Sequence, residues 1–157
     1  MQTMTITIDK AQVLHEVAKA TAYTGVKMMG DDPTAYDRIS TTDEDREILE
    51  RYWVEACSLA TDTLKPWLSS VEPQPIHHGV DIQTDYEVTL ALSDRYDSNL
   101  TDAVQSALLS FFVATILSKW YRLTNKGETE AYANEATALL QSVEDKLYYK
   151  KAPTYNA

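Results

Sequence analysis

The sequence predicts a mainly α domain, a four-helix bundle-like unit that carries a small β-hairpin or short sheet. Long stretches repeat apolar residues every three to four positions, shorter runs alternate apolar and polar residues, and turn residues separate them. A chain of 157 residues suits one domain and buries roughly 70% of the surface its unfolded form exposes. No internal repeat or low-complexity tract divides it, so residues 1–149 are expected to form a single helical domain, followed by a flexible tail over 150–157.

The first element is a strand over residues 3–8, where Met4, Ile6 and Ile8 alternate with Thr3, Thr5 and Thr7. Asp9 follows as a helix cap, and Val13, Leu14 and Val17 keep helical spacing over 10–29 until Gly30. Gly30, Asp31, Asp32 and Pro33 predict an irregular turn. Ser40, Thr41 and Thr42 then offer caps for a second helix over 43–64, with Asp43, Glu44 and Asp45 in its first turn, where carboxylates complement exposed amides. Its stripe is Ile48, Leu49, Tyr52, Trp53, Ala56, Leu59, Ala60 and Leu64, and Pro66 ends or kinks it.

Pro73 and Pro75 mark an extended connector and a candidate hinge. Alternation over 76–82 and again over 86–92 predicts two strands, which need a helix or the N-terminal strand to be stable. A third helix over 100–124 has apolar residues on most of its circumference, among them Leu108, Phe111 and Phe112, so it is the expected core helix. Its most apolar run, Ala103 to Leu117, falls short of the ~20 residues that cross a bilayer. Asn125, Lys126 and Gly127 predict a tight turn, and a fourth helix over 128–149 returns antiparallel to the third.

Composition narrows the function classes. With 14 Lys and Arg against 24 Asp and Glu, the net charge of -10 repels a phosphate backbone and argues against tight nucleic-acid binding. The N-terminal residues lack the basic start and apolar core of a signal peptide, so export is not expected. Cys57 is single, which fits a reducing compartment and a small buried hydrophobe.

No catalytic, cofactor or metal site is expected. His77 and His78 are adjacent and point to opposite faces in a strand, while His15 has no oriented acidic partner. Asp31, Asp32 and Asp43 to Asp45 gather five carboxylates, but their spacing is not that of a calcium loop. No serine sits in a nucleophile elbow, and four scattered glycines make no phosphate loop. The aromatics Tyr52, Trp53, Trp67, Phe111, Phe112, Trp120 and Tyr121 read as core or interface rather than as a ligand cage. Tyr148, Tyr149, Lys150, Lys151, Pro153 and Tyr155 differ. They lie at or beyond the last helix, where large aromatics have little core of their own to join, so they are the expected protein-interaction residues.

The order of elements carries a resemblance. An acidic helical start, TTDEDREILERYWVEACSLA, is followed by strands and then by the hairpin LTDAVQSALLSFFVATILSKWYRLTN and EAYANEATALLQSVEDKLYYKKAP. This arrangement resembles the head-tail connector, or head-completion, proteins of the neck of tailed bacteriophages and prophages. Tyr132, Glu135, Ala136, Leu139 and Leu140 match the family's last-helix pattern Y-x-x-E-A-x-x-L-L, while the N-terminal strand and the proline-rich connector depart from it.

The resemblance implies a structural virion protein, made in the host cytoplasm and placed in the virion neck. It would form a homo-oligomeric ring between portal and tail or neck proteins, around a DNA passage without specific binding and away from any membrane. An acidic lumen would let a polyanion pass without sticking. The alternative is a small cytoplasmic helical module that binds or regulates another protein.

Overall fold

In the computed structural model, which describes residues 1–71 and 85–154, the chain is mainly helical with one small antiparallel sheet. The elements are β1 (Gln2–Ile8), α1 (Lys10–Met28), α2 (Ala35–Ile39), α3 (Arg46–Leu64), β2 (Leu68–Val71), β3 (Tyr86–Leu92), α4 (Thr101–Thr124) and α5 (Lys126–Tyr148). Strand order is β1-β3-β2, and β1 pairs with β3 from Gln2↔Leu92 to Ile8↔Tyr86. The alternation seen in the sequence sets the faces. Met4, Ile6 and Ile8 are buried beside Tyr86, Val88, Leu90 and Leu92, while Thr3, Thr5 and Thr7 face outward.

The core helix is α4. Its buried residues include Val104, Leu108, Phe111, Phe112, Ile116, Leu117, Trp120 and Tyr121, and it packs on α5, α3, α1 and β1. Phe112 stands in the middle of an aromatic cluster, with ring centroids 4.9 Å from Trp53, 5.2 Å from Tyr86 and 5.7 Å from Phe111. Together with the short turn ahead of it, α4 is long and apolar enough to cross a membrane by length and composition, contrary to the expectation from its most apolar run, Ala103 to Leu117. That apolarity is used inside the fold, because sheet and helices cover most sides of this helix.

Several expectations need correction. The irregular segment after Gly30 contains a helix, α2, held to α4 by Trp120 Nε1–H donating to Ile39 O at 2.6 Å. Cβ at Gly25 would lie 2.7 Å from Tyr36 Cα, so α1 and α2 meet backbone to backbone. The second predicted helix opens with a 3-10 turn, Asp43–Asp45, in which Thr42 and Asp45 cap each other, and α3 proper begins at Arg46.

A further strand, β2, falls between the end of the second predicted helix and the proline-rich connector, where no element was expected. It is short, with a register shift between Leu68 and Ser70, and lacks the alternation that betrays β1 and β3. The strand expected over 76–82 lies outside the described residues, as do His77 and His78. The link between α4 and α5 is a single residue, Asn125, whose φ of -156° interrupts the helix, so α5 starts at Lys126 and includes Gly127.

Candidate interaction surface

The C-terminal end of α5 is the surface the sequence singled out. Tyr148 is 60% exposed, and Tyr149, whose N–H donates to Asp145 O, is also exposed. Tyr148 does have an intramolecular neighbour: its ring meets Trp67 edge-on at 4.7 Å, at the turn that ends α3. Spacing along the chain gave no sign of this pair, since its members come from distant elements.

Lys150 and Lys151, expected to open a free tail, are fastened to the loop after β3. Lys150 bridges to Tyr96, Lys151 N–H donates to Arg95 O at 2.9 Å, and Arg95 Nε–H donates to Lys151 O at 3.0 Å. Tyr96 anchors this loop by burying its ring and placing its hydroxyl 3.3 Å from Thr101 Oγ1. From the opposite side, Gln2 Nε2 donates to Asp94 O and Tyr96 O, both at 2.9 Å. One loop therefore holds both the start of β1 and the chain leaving α5. The chain then continues without regular secondary structure through Pro153, which is exposed, and Tyr155 lies outside the described residues.

The resulting surface is mixed in charge. Lys146, Lys150, Lys151 and Arg95 lie near Asp94, Asp97 and Asp145, a local balance unusual on a chain of net charge -10. A shallow cleft of about 370 Å³ runs beside it, lined by Asp97, Leu100, Asp145, Lys146 and Tyr149.

A second apolar surface was not foreseen. Tyr23, Val26 and Met29 follow one another at three-residue intervals on and just after α1, and all are exposed, as is Tyr36 on α2. The interval was visible in the sequence, but α2 was not.

The residues weighed for chemistry are dispersed. His15 is exposed on α1, and Cys57 is buried, with burial pushing its thiol well above the ordinary range. Asp32 accepts hydrogen bonds from Thr34 and Arg38, which hold its carboxyl below the usual value, and Asp45 caps the backbone at Thr42. These acids are thus engaged at separate local turns. Among the described residues no three His, Cys, Asp or Glu side chains gather as a metal site would need. Lys10 and Glu50 form a buried ion pair between α1 and α3, and Lys10 N–H also donates to Asp85.

These observations define the chain at the level of class: a mainly α, helical-bundle-like protein with a three-stranded antiparallel sheet. No protein family, curated protein or solved structure matches it.

Proposed function

We propose that this chain is a structural subunit of the neck of a tailed bacteriophage or prophage. It acts as a head-tail connector that assembles into a ring between portal and tail around the DNA passage. What supports this reading is the agreement between two orders of elements. The resemblance implies an early helical region, then strands, then a long helical hairpin ending in an exposed segment, and from α1 onward the elements follow that order, with Tyr148, Tyr149, Lys150 and Lys151 on the surface at the end and β1 as a departure at the start. The role is non-enzymatic, with contacts between unlike patches of identical subunits.

The test is native mass spectrometry at several concentrations, joined to electron microscopy of particles carrying a labelled copy. The reading expects ring-sized oligomers and label at the neck. Label elsewhere in the particle, or none, would sink it. The apolar patch of Tyr23, Val26, Met29 and Tyr36 favours the alternative, a small cytoplasmic protein-binding module. That alternative expects a monomer that captures one partner through this patch and is absent from particles. Neighbouring portal, capsid and tail genes would separate the two readings at once.

A further inference from the structure

β1 lies at the edge of the sheet, with β3 on one side and no strand on the other among the described residues. Native edges are commonly blunted by lysine, proline or a bulge, because unpaired N–H and C=O groups invite another strand. Residues Gln2–Ile8 contain neither charge nor proline and pair with β3 without a bulge. At the Ile8 end, a cleft of about 520 Å³ opens between the strands and α4, and Asp9, Asp85 and Asp102 line it without a basic side chain among the described lining residues. Asp9 accepts from Gln12 N–H and Asp85 from Lys10 N–H.

We infer that this edge and its acidic cleft receive the C-terminal segment, Lys150–Ala157, of a second copy, added as a strand antiparallel to β1. The inference rests on the reading that copies join through unlike patches. Lys150 and Lys151 are exposed, and neither forms an ion pair with a described acid. In their own copy they are fastened at Arg95 and Tyr96, beside Gln2. That is the far end of β1 from Asp9, roughly 20 Å away for a seven-residue strand at ~3.3 Å per residue.

The complementary charges of one molecule thus sit too far apart to meet within it, but they meet between neighbours. The six residues from Ala152 to Ala157 reach about 20 Å at the same rise, enough to run the length of β1. Pro153 lacks one donor and is tolerated where that position faces away from the ladder. Joining one end of each copy to the other end of the next makes a heterologous contact, which closes into a ring when the rotation permits.

The test uses full-length protein carrying Thr7→Cys and Thr154→Cys, with Cys57→Ala, under mild oxidation. The expected product is a ladder of covalent dimers, trimers and larger species, whereas either single variant stops at dimers. Charge reversal supplies a second arm. Asp102→Lys, or Lys150→Asp with Lys151→Asp, should raise the dissociation constant at least ~10-fold, and combining them should restore it to within about 3-fold. A crosslink within one copy would overturn the inference in favour of the chain's own tail. Oligomers without a ladder would overturn it while leaving the ring intact, and a strict monomer without a ladder would overturn both. A ladder from a protein missing from the phage neck would uphold this contact while the connector reading fails.

Discussion

At the scale of single residues, the aromatic cluster around Phe112 is a part of the core where truncation is expected to be costly. Phe112 is fully buried against Trp53, Tyr86 and Phe111, so Phe112→Ala leaves a cavity that rigid helices cannot close. It should cost about 3 to 5 kcal/mol by urea denaturation. Exposed Leu59→Ala should stay within ~0.5 kcal/mol.

Buried titratable groups add a pH dependence. Burial raises the Cys57 thiol above 9.0 and pushes the Tyr86 phenol from 10.0 to about 12, and Tyr121 and Tyr132 shift upward too. These groups are neutral when protonated, so the folded state holds its protons where the unfolded chain releases them. Their contribution is complete below the unfolded values and declines as pH rises through them. Stability should therefore begin to fall near pH 9 and drop by about 2 kcal/mol from Tyr86 alone by pH 12. Denaturation midpoints at pH 8, 9.5 and 11 would show this, and Cys57→Ala should delay the onset. A flat profile would mean the thiol and phenol are not dry.

At the scale of elements, periodicity made the long pieces legible. The alternation of β1 and β3 and the stripes of α1, α3 and α5 were plain because each shows one face to a core and another to water, and α4 stood out because it is apolar on most of its circumference. Phe111, Phe112 and Leu108 were readable as core for the same reason, and all are buried. The short pieces were not. α2 spans only five residues, too few to display a period, and is held by Trp120 from a distant helix. The Trp67–Tyr148 contact likewise joins sequence-distant positions, as does the fastening of Lys151 to Arg95. Nothing local marks such partners.

The α1–α2 junction depends on one small residue. Gly25→Ala sets a methyl group against the Tyr36 backbone, and the expected loss is about 1 to 3 kcal/mol despite the better helix propensity of alanine. If thermal melting instead shows a gain, α2 is able to slide away without cost. A further loss of exchange protection confined to residues 35–39 would locate the damage.

At the scale of the whole molecule, the charge of -10 and the C-terminal segment set the expectations for assembly. Removing residues 152–157 leaves the Lys151–Arg95 bonds in place, so the truncated protein should melt within a degree or two of the full chain and yet assemble poorly. Cutting before Lys150 removes those bonds as well and should lower stability by about 1 kcal/mol for the exposed pair. Circular dichroism separates these effects, and electron microscopy reads assembly. A 1–151 protein that assembles normally would remove the segment from the mechanism.

The sheet also bears on how the chain is made. Thr5 and Thr89 lie side by side, with hydroxyl oxygens 3.2 Å apart, although 84 positions separate them in the chain. During synthesis at ~5 to 20 residues per second, β1 emerges several seconds before the strand it pairs with. Throughout that interval the nascent chain displays a threonine- and isoleucine-rich segment with both backbone edges open, a form prone to pairing with other newly made chains. Yield during production should therefore depend on translation speed and chaperone supply more than the stability of the finished fold would suggest.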